Sequence, residues 1–226
     1  MTKGEPAAIV AQRGRWEGAL TRPERYGDDP SAPAVAAAEC FDAGRVREVL
    51  ELGAGQGRDT IFFARRGFEV CALDFAEAGI RAIREKAAAS GVTDRVRAVA
   101  HDVREPLPFP DDCFDACYSH MLFCMALTER ELRRLSAEVW RVLRANGFNV
   151  YTVRTTADPD YGKGVYHGEH LYESDGFVVH FFDRGLIERL ADGYDVLGVD
   201  RYQGGSLPRD LFGVALRRRE SAPRIA

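Results

Sequence analysis

The segment that decides the fold is residues 46–59, which read VREVLELGAGQGRD. Its first half is rich in β-branched and aliphatic residues, which predicts a buried strand, and three alternate glycines end that strand. Helical periodicity begins after the glycines, near Ile61, and stops at Gly67. Strand, glycine-rich turn and helix in this order form the entry of a nucleotide-binding βαβ unit. Side chains at these glycines would block the tight turn and the close approach of a ligand.

An acidic residue follows at the spacing that a ribose contact requires. The next predicted strand covers residues 69–73 and ends on Asp74, 19 residues after Gly55 (74 minus 55). An acid that binds ribose hydroxyls is expected about 20 residues after the glycine-rich turn. The glycine turn and the acid at the strand end together predict a ligand that contains adenosine.

The spacing of the glycines distinguishes between adenosine ligands. A dinucleotide loop, Gly-x-Gly-x-x-Gly, would need its third glycine at position 58, which is Arg58. Residues 53–57 instead read GAGQG and are preceded by Glu51, and no Gly-Lys-Ser/Thr of a P-loop is present. This arrangement resembles the first motif of class I S-adenosylmethionine (SAM) methyltransferases, in which an acid precedes Gly-x-Gly-x-Gly. The resemblance implies SAM as the cofactor.

The resemblance covers about residues 26–216 and also implies a fold. That fold is an α/β, Rossmann-like, doubly wound sheet of seven strands, mostly parallel, with one antiparallel strand near the C-terminus. The triplet at 57–59, Gly-Arg-Asp, is similar to that of small bacterial methyltransferases, including the tellurite-resistance and thiol types. Those enzymes act on small molecules or soft heteroatoms, so we expect a small-molecule acceptor.

The resemblance also implies which residues bind the cofactor. Asp74 is expected at the ribose, Phe75 at the adenine edge, and Asp102 with the Val103 amide at the adenine, where a carboxylate can accept from the exocyclic amine. The glycines approach the methionine and ribose parts, and the two residues after them approach the amino-acid end. The expected cofactor-binding set is Tyr26, Glu51, Gly53, Ala54, Gly55, Gly57, Arg58, Asp59, Asp74, Phe75, Asp102, Val103 and Ser119.

The acceptor side is expected where the fourth strand ends, at Ser119 and His120. Methyl transfer from a sulfonium depends mainly on alignment, and a general base matters only for an acceptor that is protonated at working pH. His120 is the candidate catalytic base, because the ordinary pKa of histidine lies in the useful range. A structural or cofactor-contacting histidine is the alternative. Residues 119–122 read SHML in place of the Asn/Asp-Pro-Pro-Tyr/Phe tetrad of nucleic-acid base methyltransferases, which excludes that subclass.

We expect a single methyltransferase domain over residues 1–226, with two accessory segments. Residues 1–45 are expected to cap the cofactor pocket, and residues 154–182, rich in Tyr and His, to form a substrate lid at the carboxyl edge of the sheet. A self-packed flap without chemistry is the alternative for the second segment. His167 and His170 lack a companion cysteine or carboxylate that would complete a ligand set, so we expect no metal.

The net charge, apolar runs and cysteines of the sequence limit the expected partners and the expected cellular compartment. The net charge of −4 argues against a nucleic-acid partner, because phosphate binding needs a basic surface. No run approaches 18 apolar residues and no signal peptide is apparent, so we expect no membrane partner. Five cysteines without an export signal predict reduced thiols in the cytoplasm. The acceptor atom and the oligomeric state stay open.

Two functions from other classes compete with methyl transfer. One is an NAD-binding oxidoreductase, which Arg58 at the third glycine position disfavours. The other is a non-catalytic SAM-binding protein, which the lack of an assured base would permit.

Overall fold

The structure is a computed structural model that describes residues 11–22, 27–204 and 208–220. The predicted cofactor contact at Tyr26 lies outside these ranges. The helices are α1 (Gln12–Leu20), α2 (Ala32–Ala43), α3 (Arg58–Arg65), α4 (Glu77–Ala89), α5 (Glu129–Val142) and α6 (Arg184–Leu190). The strands are β1 (Glu48–Leu52), β2 (Glu69–Asp74), β3 (Val96–Ala100), β4 (Phe114–His120), β5 (Leu143–Arg154), β6 (Val165–Gly168), β7 (Leu171–Ser174), β8 (Phe177–His180), β9 (Tyr194–Gly204) and β10 (Arg209–Arg218).

Seven strands form the central sheet in the order β3-β2-β1-β4-β5-β10-β9. Strands β1 to β5 pair in parallel, and β10 runs antiparallel to both of its neighbours, β5 and β9. The predicted mostly parallel, seven-stranded, doubly wound sheet with one antiparallel strand is therefore confirmed. The strand order reverses between β1 and β4, which is the switch point where ligands of such sheets bind.

Apolar residues cover both faces of the sheet, as a mainly parallel sheet requires. Along β1, Val49 belongs to a cluster with Phe41 of α2 and Phe63 of α3. Leu50 and Leu52 belong to the larger cluster on the opposite face, which includes side chains of α5 and α6. Because alternate residues of β1 face opposite layers, the strand reads as a nearly continuous apolar run.

Two predicted helix caps are present in the structure. The Ser31 hydroxyl accepts a hydrogen bond from the Ala34 amide, at 3.2 Å, at the start of α2. Thr128 and Glu131 form the predicted capping box of α5: the Thr128 hydroxyl accepts from the Glu131 amide at 3.3 Å, and the Glu131 carboxylate accepts from the Thr128 amide at 2.7 Å. These caps satisfy backbone donors that a helix start leaves free.

The end of α5 differs from the prediction. The sequence pattern predicts a helix to about Arg144, whereas α5 ends at Val142 and Leu143 already has extended backbone angles. Leu143 pairs with Phe114 of β4, so strand pairing overrides a local pattern that continues to favour helix. The fifth strand consequently starts five residues before the predicted Phe148.

The segment predicted as a lid contains a second sheet that the sequence pattern did not indicate. Strands β6, β7 and β8 form an antiparallel sheet in that order. Each strand has four residues, too few for a periodicity signal. Trp16 of α1 contacts Phe177 of β8 edge to face, with ring centroids 5.0 Å apart. The small sheet is therefore joined to the N-terminal helix.

Within the described ranges, no helix combines the length and the apolar character that crossing a bilayer would require. All five cysteines lie in described segments and are unpaired there, and three of them, Cys71, Cys117 and Cys124, are buried.

Candidate functional site

Hydrogen bonds tie the glycine turn to the end of β2. The Gly55 amide donates to the Asp74 carboxylate at 2.9 Å, and the Ala76 amide donates to the other carboxylate oxygen at 2.9 Å. The Ala54 amide donates to the Leu73 carbonyl at 3.0 Å, so it is not available to a ligand. An ionised carboxylate has about four acceptor sites, so Asp74 retains capacity for further donors.

The three glycines of the turn serve different purposes. All three have positive φ angles, which L side chains rarely adopt. A Cβ on Gly53 would come within 2.9 Å of Leu122, and one on Gly57 within 2.7 Å of Ile83. A Cβ on Gly55 would meet only Leu20, at 4.0 Å. Gly53 and Gly57 thus allow protein packing, and the predicted open approach to the backbone applies to Gly55.

Burial changes the acidity of Asp74. The side chain is buried, which raises the pKa to about 6, while the amides of Ala76 and Gly55 partly oppose that rise. A carboxylate that burial has destabilised gains from any ligand that donates hydrogen bonds to it.

The two acidic side chains that flank the glycine turn form hydrogen bonds within the protein. Glu51 is buried and accepts a hydrogen bond from the Thr60 hydroxyl at 2.5 Å, and burial raises its pKa well above the ordinary value. Asp59 accepts from both the amide and the hydroxyl of Ser31, at 2.7 and 2.8 Å. The Tyr118 hydroxyl lies 3.0 Å from that of Ser31. Glu51 and Asp59 therefore hold α2 and α3 against the sheet.

Residues expected at the adenine lie at the end of β3. The Asp102 carboxylate pairs with the Arg104 guanidinium, with the shortest N–O distance 2.7 Å. Burial alone would raise the pKa of Asp102, but the hydrogen bonds from Arg104 outweigh it and lower the pKa. Val103, between these two residues, is half-buried, and so is Phe75, which follows Asp74 at the end of β2. An adenine amine would share Asp102 with Arg104.

Two polar residues end β4. Ser119 is fully buried, and its hydroxyl has no hydrogen-bond partner in the described part of the chain. His120 is bonded through Nδ1 to the Thr152 hydroxyl at 2.7 Å. Burial lowers the pKa of His120 to about 4. Burial therefore keeps the imidazole neutral, and the role of His120 as a catalytic base stays a prediction.

Helix α1 lies over the glycine turn. Gln56 donates to the backbone carbonyls of Leu20 and Arg22, at 3.0 and 2.8 Å. Glu17 accepts from the Ala78 amide in the first turn of α4 at 3.0 Å. At the other end of α1, Gln12 donates to the Gly176 carbonyl at 3.0 Å. One helix therefore contacts both the cofactor turn and the small sheet.

Sequence analysis missed two polar residues at the carboxyl edge of the sheet. The Tyr202 hydroxyl is buried and has no hydrogen-bond partner among the described residues. Arg209 begins β10 and is half-buried. Neither belongs to a motif, and only the strand register puts them on the face of the sheet that carries His120. In the described segments, no group of three or more His, Cys, Asp or Glu side chains is arranged to hold a metal ion.

Part of the chain is similar to known proteins. Residues 49–147 match the family described as methyltransferase domain. Malonyl-[acyl-carrier protein] O-methyltransferase from Halorhodospira halophila is 31% identical over 156 residues, which cover 66% of this chain and 45% of that protein. The chain spans less than half the length of the curated relatives that it matches.

Solved structures share the whole architecture. The 1,6-didemethyltoxoflavin-N1-methyltransferase of Burkholderia thailandensis, solved with S-adenosylhomocysteine, has a TM-score of 0.74 at 22% identity and covers 97% of this chain and 92% of its own. The [4+2]-cyclase SpnF has a TM-score of 0.71 at 15% identity and covers 94% and 96%. At such identities the similarity shows the fold alone. Residues 49–147 are therefore similar to a methyltransferase domain, and the chain shares the fold of these solved structures.

Proposed function

We propose that this protein transfers a methyl group from SAM to a small-molecule acceptor. The observation that carries the proposal is the Asp74 carboxylate held 2.9 Å from the Gly55 amide, at the switch point of the sheet. This contact joins the turn that a cofactor must approach to the acid that can accept from ribose hydroxyls. Of the three glycines in the turn, Gly55 is the one at which a Cβ would meet no atom closer than 4.0 Å.

Within this proposal, the cofactor-binding residues have unequal roles. Gly55 and Asp74 bind the ribose and methionine parts, and Asp102 and Phe75 the adenine. Glu51 and Asp59 stabilise the glycine turn, because their carboxylates already accept hydrogen bonds from Thr60 and Ser31. Arg58 stays assigned to the amino-acid end of SAM.

The two accessory segments form the walls of the site in this proposal. Helix α1 belongs to the N-terminal cap, and the small sheet β6–β8 to the lid over residues 154–182. The Trp16–Phe177 contact supports the assignment, because it links the cap to the lid above the glycine turn. We further propose one domain, a cytoplasmic location and no nucleic-acid or membrane partner. The narrower resemblance to tellurite-resistance and thiol methyltransferases stays a prediction.

The test is methyl transfer from labelled SAM to a panel of phenols, thiols and amines. The proposal expects label on at least one acceptor, and strong loss of transfer in Asp74→Ala. NADH should not compete with SAM; competition would favour the oxidoreductase alternative. Tight binding of S-adenosylhomocysteine without transfer to any acceptor would favour a SAM-binding protein instead.

A further inference from the structure

We propose that the methyl acceptor carries an anionic group, a carboxylate or a similar oxyanion, which Arg209 and the Tyr202 hydroxyl bind at the carboxyl edge of the sheet. This inference rests on the proposed function and names the substrate class for the same site.

The strand register places these residues on the same face of the sheet as His120. His120 of β4 pairs with Thr152 of β5, and Thr152 pairs with Gly213 of β10. Directly paired residues point to the same face, and so do residues two positions apart along a strand. Leu211 therefore shares that face with Gly213, and Arg209 lies one further step toward the edge.

Tyr202 reaches the same face from β9. It pairs with Leu211, and its ring lies between two glycines of the neighbouring backbone. A Cβ on Gly204 would come within 3.0 Å of this ring, and one on Gly213 within 3.4 Å. The absence of side chains at these glycines leaves space for the ring. Its buried hydroxyl then ends without a hydrogen-bond partner among the described residues.

A buried hydroxyl without a hydrogen-bond partner costs free energy unless a ligand supplies the missing hydrogen bond. Burial raises the pKa of Tyr202 to about 12, so the hydroxyl keeps its proton and can donate. An acceptor group that takes this hydrogen bond is therefore favoured.

Arg209 supplies a positive charge that the protein itself does not neutralise. Among the described residues, its side chain has no carboxylate partner and no hydrogen bond. Nearby arginines differ: Arg154 pairs with Asp158 and Asp160, and Arg201 with Asp210. Their acids are fully engaged, so none is left for Arg209.

Asp210 is the clearest example of a carboxylate that already accepts several hydrogen bonds. It accepts from the Thr155 hydroxyl at 2.5 Å, from the Arg201 guanidinium at 2.8 and 2.9 Å, and from the Gln203 amide at 3.0 Å. The Arg209 charge also lowers the pKa of His120, less than burial and Arg58 do and against the opposing effect of Asp59, in agreement with the strand register. A half-buried cation on the same sheet face as a neutral histidine and an unpaired phenol is suited to an oxyanion.

The test measures how the protein saturated with S-adenosylhomocysteine binds small acids. The probes are 4-hydroxybenzoate and 3-mercaptopropionate, each compared by calorimetry with its primary amide. We expect at least one acid to bind about tenfold or more tightly than its amide. Arg209→Gln should abolish that preference, and Tyr202→Phe should reduce it severalfold. Arg130→Gln, at an exposed position on α5, is the matched control and should leave the preference intact.

Two measurements separate the possible failures. Affinity for S-adenosylhomocysteine is measured first: its absence in the wild type would overturn the proposed function. Binding of S-adenosylhomocysteine with no acid preferred over its amide, or a preference that survives Arg209→Gln, would overturn the acceptor assignment alone. Tyr202→Phe should melt no lower than the wild type, because the hydroxyl it removes makes no hydrogen bond to the described residues.

Discussion

Asp74 connects cofactor binding to pH. Its pKa of about 6 in the free protein lies above the ordinary value of 3.8, because burial disfavours the carboxylate. Ribose hydroxyls donate to the ionised form, so binding of S-adenosylhomocysteine should strengthen as the pH rises through about 6 and then level off. We expect about a tenfold gain between pH 5 and pH 7.

The control for this prediction is Asp74→Asn, which cannot titrate. Calorimetric titrations at pH 5, 6 and 7 should give a flat, weaker affinity for the variant. Equal pH dependence in both proteins would remove Asp74 from the ribose site.

For His120 we expect a pKa shift in the opposite direction from that of Asp74, because burial lowers the His120 pKa to about 4. The imidazole should stay neutral above about pH 5, and its ring resonances in NMR spectra should not move between pH 5.5 and pH 8. Its folded pKa lies below the unfolded one, so its contribution to stability grows from about pH 4 to about pH 6.5 and is constant above that. A titration midpoint near 6.5 would contradict the buried geometry.

The N-cap residue of α2 also binds a carboxylate on another helix, whereas the N-cap residue of α5 caps its own helix. The Ser31 hydroxyl accepts from the Ala34 amide and donates to the buried Asp59 carboxylate, whereas Thr128 caps α5 at a half-buried position. Thr128→Ala should lower the free energy of unfolding by about 1 kcal/mol. Ser31→Ala should cost about 2–3 kcal/mol, because a buried charge also loses a donor.

Denaturant unfolding of the two variants measures this difference. Equal losses would mean that the Ser31–Asp59 bond adds nothing to the cap. Thr128 lies far along the chain from the glycine turn, so Thr128→Ala should leave the affinity for S-adenosylhomocysteine unchanged, which makes it the control for effects on binding.

The central sheet was predictable and the small sheet was not, for a physical reason. Apolar strands, glycine turns and the Thr128 capping box are local signals, and these elements are present, although the fifth strand starts earlier than its pattern predicts. Strands of four residues carry no such signal, and the early end of α5 depends on pairing between Leu143 and Phe114. Local sequence cannot report a contact that forms only after folding.

The candidate site divides in the same way. Gly55 and Asp74 are found by motif and spacing, since the chain brings them together across one βαβ unit. Tyr202 and Arg209 share a sheet face with His120 only because β10 inserts between β5 and β9. Their proposed role as acceptor contacts follows from the register of these strands. The cofactor half of the protein is therefore encoded locally and the acceptor half by topology.

The whole molecule is expected to be stabilised by its cofactor product. Thermal unfolding should be followed for the wild type with and without S-adenosylhomocysteine, with NADH at the same concentration as the comparison. At about 100 times the dissociation constant, S-adenosylhomocysteine should stabilise the fold by about 2.7 kcal/mol and raise the Tm by about 5–10 °C. NADH should leave the Tm unchanged. An identical Tm with and without S-adenosylhomocysteine would contradict a SAM site at the glycine turn.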